Sequence, residues 1–480
     1  MTTDLQLKPL TSEEVNTIYE KCLDFLSKKG VRTEHPQALK MLDKAGAWVD
    51  YDNQRVRFSR DIIEAALHSV PSEILMAGSH EANDIRIAYP RQRLYISTAT
   101  GNVSYLEPET NAYCDVDIAY VKEWAQLVGV LDEIDALFFP FPKDVPQPTA
   151  DIHALKATLE NSPKHIIIQP YSFESLNYLF ELAIAVAGSR EALKKRPIIS
   201  MVSCATSPLI FQSLDMEALI LAARYGVPIY AAALPSAGGT SPITIAGTVL
   251  QNGIETLASL VMSQLLQPGT PYIANPVAFT LDMSSGNTVI ASIEAELCQA
   301  ANTQFAKEAF KVPTAPFGFA TDSVVPDGQS IIERLTLGLL VSTAGADIIA
   351  EAGQLGAGLI CSPIQLIIDD TIASILKRVT SGVKVDDNTL AWQEILDTNP
   401  GGYYLERVHT LKHCRDALHL GLISSQSREI WTQGGRKDLC TRALDKYREL
   451  KGKLQPVPLP AEIQGELTRI VKRADEQLTK

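Results

Sequence analysis

The chain has 480 residues, 46% of them apolar, which is enough to bury a large core and too many for an extended disordered protein. Forty-three Lys and Arg stand against 56 Asp and Glu, a formal charge of −13. That balance excludes a general nucleic-acid backbone binder, since phosphate contacts need clustered cations and the longest basic run is Lys194-Lys195-Arg196.

In chain order, Thr11-Ser12-Glu13-Glu14 reads as a capping box, with Thr11 as cap and Glu14 completing it, before a helix that ends at Gly30. HPQALKMLDKAG and RDIIEAALHSV read as further helices, flanking a hairpin in VDYDNQRVRFS. Short strand-like segments (ILMAG, RLYIST, NVSYLEP) fill 72–118, and the helix YVKEWAQLVGVLD follows, with Asp117 near its start. From about 134 a β-then-α rhythm sets in. Strands are expected at Ala136–Phe139, Ile166–Tyr171, Ile198–Cys204, Ile229–Leu234, Tyr272–Asn275, Ala315–Ala320 and Ile348–Glu351. They are nearly all apolar and do not alternate, as expected where both faces are covered. An eighth strand is expected within 98–106 or near 360–368. The leading architecture is a TIM-type (β/α)8 barrel with N-terminal and C-terminal helical elaborations; a doubly wound open sheet is the alternative. The expected division is 1–130 as an elaboration packed on the barrel, 131–385 as the barrel body and 386–480 as a helical region.

The uncharged spans 226–253 and 256–281 are broken by proline and glycine, so no membrane helix is expected. The polar start MTTDLQLKPLTSEEV lacks the apolar core of a secretory signal. Seven scattered cysteines without a CxxC pair read as reduced thiols, and the expected location is cytoplasmic.

A barrel places its chemistry just after its strands. The candidates there are Gln169 and Tyr171, the loop Gly238-Gly239-Thr240-Ser241, Asn275 and Phe279, Phe317 and Phe319, then Asp322 and Glu351. Tyr171, Phe279, Phe317 and Phe319 would form aromatic walls suited to a quaternary ammonium, which favours π faces and cannot donate a conventional hydrogen bond. Each aromatic fits core packing as well. Asp322 and Glu351 are the candidate catalytic carboxylates, although Asp322 also fits a helix-capping turn and Glu351 a salt bridge. GQLGAG at 353–358 lacks a phosphate-loop lysine and reads as a plain loop. His409 and His413 share a helical face beside Cys414 but have no third ligand at metal spacing, so no metal site is expected. His153 fits either a mouth residue or a packing residue.

Several stretches together carry a family resemblance: PFPKDVPQPTADIHALKATLENSPKHI, PSAGGTSPITIAGTVLQNGIETLASLVMSQLLQPGTPYI, PFGFATDSVVPDGQS, AGADIIAEAGQLGAGLICSPIQLIIDD and GGYYLERVHTLKHCRDALH. The chain resembles the trimethylamine methyltransferase superfamily of corrinoid-dependent enzymes over nearly its whole length. The resemblance implies an α/β barrel that moves a methyl group from a methylated amine to the Co(I) form of a separate corrinoid protein. Founding members carry pyrrolysine, whereas this chain reads FGFATDS at 317–323 with standard residues throughout. It therefore resembles the non-pyrrolysine branch, which implies a quaternary amine such as glycine betaine. No cofactor is expected to be held tightly by the chain itself. Gly238 and Gly239 would face the corrinoid. Gln169, Asn275, Thr240 and Ser241 are candidate donors to a substrate carboxylate. A homo-oligomer is expected. The alternatives are a lyase or hydrolase using Asp322 and Glu351 as acid and base, and a non-catalytic scaffold that binds the corrinoid protein.

Overall fold

The computed structural model describes residues 5–416 and 421–479. The end of the stretch GGYYLERVHTLKHCRDALH lies outside the described residues. The core is a curled, all-parallel seven-stranded sheet: β1 Tyr95–Thr98, β2 Ala136–Leu137, β3 His165–Ile168, β4 Ile199–Ala205, β5 Ile229–Ala233, β6 Tyr272–Pro276 and β7 Ile348–Ala352. Their spatial order is β6-β5-β4-β3-β2-β1-β7, so β1 to β6 lie side by side in sequence order, while β7 pairs with β1 at the edge opposite β6. At least one helix follows each strand, among them Ile118–Val130 after β1, Ser213–Tyr225 after β4, Ile245–Leu266 after β5 and Pro363–Thr380 after β7. This is an α/β fold.

Two expectations are corrected. RLYIST, placed by sequence among elaborations, supplies β1, whereas 360–368 holds a two-residue strand, Ile360–Cys361, and the start of a helix. Ala315–Ala320 is not a regular strand. Its segment contains Pro313 and Pro316, which have no N–H to give to a ladder. It nevertheless bonds to both edges of the sheet. Ala274 N–H donates to Pro313 O and Ala315 N–H to Ala274 O on one side (2.9 and 2.7 Å). On the other, Ile348 N–H donates to Thr314 O and Ala350 N–H to Pro316 O (3.1 and 3.0 Å).

The strand side chains sort into two apolar sets. Ile96, Leu137, Ile166, Ile168, Ile229 and Ile349 pack with the helices. Tyr95, Phe138, Ile167, Val202, Tyr230, Ile273, Ala315 and Ile348 form a separate interior cluster. Period-two alternation along each strand explains the division. The hairpin Glu73–Met76/Ile85–Ala88 contributes Ile74, Met76, Ile85 and Ile87 to that interior cluster. It closes the amino-terminal end, where His165 at the start of β3 bonds to Ser200 Oγ (2.6 Å) and Ala77 O (3.1 Å). Burial pushes the His165 imidazole down to about 4, so it is neutral and structural. With that end plugged, a ligand must enter at the carboxyl ends of the strands.

Both ends of the chain brace the outside. The Thr11–Glu14 capping box is formed, with Glu14 N–H donating to Thr11 Oγ1 and Thr11 N–H to Glu14. Its helix, Ser12–Lys28, packs on Ile245–Leu266, and the last helix, Ala461–Leu478, packs on Leu176–Ala187. None of the described helices is long and apolar enough to cross a membrane.

Candidate active site

The candidate site is described from Glu351 outward. Ile349 pairs with Ile96 and Ala352 with Thr98, so β7 carries one more residue than β1 over this interval. That bulge re-aims the extra residue. Glu351 takes φ +82°, a region that a side chain enters only when its surroundings over-determine it. Its carboxyl is buried, and Oε1 has no hydrogen-bond partner within the protein. Burial pushes the group up to about 8, against the pull of the Arg334 guanidinium.

Arg334, on helix Gly328–Thr343, is itself fully buried. Its Nη2 bonds to Gln354 O, and its Nε lies 3.5 Å from Asp369 Oδ1. Asp369 in turn accepts from Gly353 N–H (2.7 Å) and Gln365 Nε2 (2.8 Å). One cation thus lies behind two carboxyls. Asp369 has the closer contacts, and Glu351 keeps an oxygen free.

Further unpartnered polar atoms lie at or just beyond the carboxyl ends of the strands: Ser97 Oγ on β1, Thr100 Oγ1 and Asn102 Oδ1 after it, and Asn275 Oδ1 on β6. Ser97 sits one residue before Thr98, the partner of Ala352. Asn102 is anchored through Nδ2 to Gly358 O (2.7 Å), which turns its carbonyl oxygen away from that contact. Gly358 also borders Glu351 Oε2. Buried polar atoms are ordinarily satisfied within the protein, so such a concentration at one mouth marks a place for a ligand or ordered water.

The sequence candidates divide by position. Asn275 follows Ile273 of the interior cluster by two residues along β6 and shares its face; Phe317, in the irregular segment beside Ala350, is grouped with the larger core, and both residues are buried. Gln169 likewise follows Ile167 and is partly exposed. Phe317 and Phe279 approach with ring centroids 6.4 Å apart. Phe279 also lines a cavity of about 330 Å³ with Ala237, Ile243, Thr248, Met283 and Cys298. Tyr171 stands at the rim, 43% exposed, with its ring against Phe141. Buried Asp151 holds this loop by accepting from Tyr171 N–H (3.2 Å) and Ser175 Oγ (2.6 Å).

Other candidates are engaged elsewhere. Asp322 accepts from Ile290 and Ala291 N–H (3.2 and 3.0 Å), just ahead of helix Ile293–Phe305; partial burial raises its pKa. Phe319 is fully enclosed in the outer core. Thr248 donates to Pro242 O, so Ser241, 2.9 Å from Thr248 Oγ1, spends its proton there, while Thr240 Oγ1 accepts from Ser236 N–H. Gly238 N–H and Gly239 N–H close the same turn, on Ser241 O and Ser236 O. Gly238 has φ +87°, which explains the glycine at that corner. His153 bonds to Asp475 of the last helix (3.1 Å) and is a packing residue. His409 contacts Asn388 O, and His413 contacts Asp416. Among the described residues no group of three His, Cys, Asp or Glu could hold a metal.

Sequence reasoning missed Ser97, Thr100, Asn102 and Arg334. The signal for the first three was the loop ATGN following an apolar strand, the same grammar as the other strand ends.

Strands that feed one mouth, a plugged opposite end and a strained buried carboxyl define an α/β enzyme built on a parallel sheet. Similarity to known proteins gives the family. The family model described as trimethylamine methyltransferase (MTTB) matches residues 1–479. The chain is 29% identical over 472 residues to the trimethylamine methyltransferase MttB of Desulfitobacterium hafniense, covering 98% of this chain and 95% of that protein. It is 24% identical over 473 residues to a glycine betaine methyltransferase of the same species, with 98% and 97% covered. Among solved structures, the monomethylamine methyltransferase MtmB of Methanosarcina barkeri superposes with a TM-score of 0.52 over 95% of this chain and 97% of that one, at 12% identity. The chain belongs to the trimethylamine methyltransferase family, in the branch that lacks pyrrolysine.

Proposed function

We propose that this chain moves a methyl group from a quaternary amine, glycine betaine or a related betaine, to the Co(I) of a partner corrinoid protein and releases the tertiary amine. The observation that carries the reading is Glu351, a buried carboxyl with a free oxygen close to aromatic walls at the mouth. A quaternary nitrogen already bears the charge that makes an amine a leaving group, so no protein acid is required. That agrees with the absence of pyrrolysine. The corrinoid supplies the nucleophile that accepts the methyl group.

This chain's own work is to bind, orient and exclude water. Glu351 faces the ammonium and gains its full charge as the cation approaches; Phe279, Phe317 and Tyr171 offer π faces to the N-methyl groups. Gln169 and Asn275 retain amide donors for a substrate carboxylate. Asp322 positions the 288–291 loop instead of trading protons, which disfavours the acid–base lyase reading. The rim around the Gly238-Gly239 turn exposes Ile243 and Met283, an apolar surface suited to the corrinoid domain. The 313–319 segment serves as the eighth strand of a closed (β/α)8 barrel, supported by its bonds to both sheet edges. In this reading 1–130 and 386–480 elaborate the 131–385 body, and the enzyme works in the cytoplasm.

The test is loss of Co(I) absorbance when the chain and its reduced corrinoid protein meet a panel of betaines, choline, carnitine and tetramethylammonium. Loss with at least one of them is expected. No loss with any of them rejects the reading.

A further inference from the structure

At the end of β7 three ionisable side chains are buried together, one cation and two carboxyls: Arg334, Asp369 and Glu351, each at most 2% exposed. Arginine keeps its proton in a protein interior, so Arg334 is charged and can neutralise only one of the two. The geometry selects Asp369. Arg334 Nε forms an ion pair with Asp369 Oδ1 (3.5 Å). The other partners of Asp369, Gly353 N–H (2.7 Å) and Gln365 Nε2 (2.8 Å), are donors too. Burial raises the Asp369 pKa and Arg334 opposes it. A set made only of donors suits the carboxylate and offers a carboxyl proton nothing to bond to. Glu351 Oε1 has no partner within the protein. A second carboxylate there would be a buried charge without a counter-ion, so Glu351 keeps its proton until a cation arrives.

Arg334 has the capacity to serve Glu351 instead. Its Nη2 donates to Gln354 O, but its Nη1 is buried without a hydrogen-bond partner. Neighbouring groups do not compete for it. Glu333 accepts from Thr321 Oγ1, Asp322 N–H (3.0 Å) and Gln329 Nε2 (2.8 Å). Tyr230 on β5, which feels the Glu351 charge, donates to Ala315 O (3.3 Å), and burial pushes its phenol up, so it stays neutral. Asp369 also fixes the backbone that carries Glu351. The N–H it holds belongs to Gly353, at φ +82°, where a Cβ would lie 2.5 Å from the Trp124 ring.

We propose that Asp369 is a positioning residue of the methyl-transfer site: it holds Arg334 away from Glu351, so that the charge of Glu351 is reserved for a cation entering at the mouth. The inference rests on the reading of Glu351 as the seat of the quaternary ammonium. While Glu351 is protonated, each cation that binds expels its proton to solvent. Without the Asp369 charge, Arg334 Nη1 takes Glu351 as its counter-ion, and the site is neutralised before any substrate arrives.

Calorimetric titration of the purified full chain with tetramethylammonium from pH 6 to pH 9 tests this. In the native chain affinity is expected to fall about tenfold per pH unit below about 8, with close to one proton passed to the buffer per cation bound near pH 6. In Asp369→Asn, whose amide oxygen can still accept from Gly353 N–H, the midpoint is expected to drop by about 1–3 pH units, and proton release at pH 7 with it. Above pH 8 this variant should bind more weakly than the native chain, because Arg334 competes with the cation. A merely structural role would weaken binding equally at every pH. If that variant does not fold, Arg334→Gln/Asp369→Asn removes both charges together and should keep the native midpoint, because the pair it deletes is already neutral. A midpoint that stays in place in Asp369→Asn, or that rises in the double variant because Arg334 had been serving Glu351, overturns the proposal. Affinity that is absent, or equal in the native chain and Glu351→Gln at every pH, rejects Glu351 as the cation seat itself.

Discussion

Replacing Glu351 with Gln removes a group whose charge the fold resists. The carboxyl titrates near 4.5 when exposed and at about 8 in the folded chain. Between those values the unfolded chain releases the proton and the folded chain keeps it. The folded state therefore binds more protons, and this group makes stability fall as pH rises. The loss is at most about 1.4 kcal/mol per pH unit and roughly 5 kcal/mol across the window, complete above about pH 8. Gln cannot titrate, so Glu351→Gln is expected to gain stability relative to the native protein from about pH 5 to about pH 9. Urea denaturation of both proteins at intervals over that range reads the difference directly. Tetramethylammonium favours the ionised carboxyl and should flatten the native protein's loss, with little effect on the variant. A stability difference that stays constant over the window, with or without the cation, would refute the assignment of a buried, protonated Glu351.

Arg334→Met leaves Asp369 buried without its cation and should cost about 3–5 kcal/mol, seen as a lower thermal midpoint. Gly318→Ala places a Cβ 2.1 Å from Ile349 Cγ2, between the 313–319 segment and the helices, and should destabilise by about 1–3 kcal/mol in denaturant titration. Phe317→Ala should lower kcat/KM for a quaternary amine by about tenfold, with a smaller effect on a tertiary amine that binds uncharged. Asp322→Ala, which frees the Ile290 and Ala291 N–H groups, should raise proteolytic cleavage in 283–291 and leave the pH profile of activity unaltered; a lost ionisation in that profile would restore Asp322 as an acid or base.

Much of the fold was legible because buried parallel strands are short apolar runs set between amphipathic helices; six of the seven expected strands are present. The seventh, Ala315–Ala320, was misread because hydrophobicity registers burial, whereas a ladder also needs the N–H groups that Pro313 and Pro316 lack. β1 was half seen: RLYIST looked like a strand, but its place in the main sheet is a long-range fact carried by its pairing with β7. Asn275, Phe317 and Gln169 were candidates because strand ends are where a parallel sheet opens. Glu351 was visible as a charge ending an apolar run. Its bulge and positive φ were not, since they arise from register against β1. Arg334 was hidden because a lone arginine in a helix looks like any surface residue until Asp369 is folded against it. Asp322 and Ser241 were candidates by side-chain type, and the structure shows both engaged in local hydrogen bonds that the sequence did not reveal.

The most direct test follows the methyl group itself. The chain and its Co(I) corrinoid protein are mixed with glycine betaine carrying deuterated N-methyl groups, and both products are analysed by mass. The account predicts labelled methyl on the corrinoid and dimethylglycine in equal amount. Labelled trimethylamine, from cleavage of the bond to the carboxymethyl carbon, with unmethylated corrinoid, would contradict it.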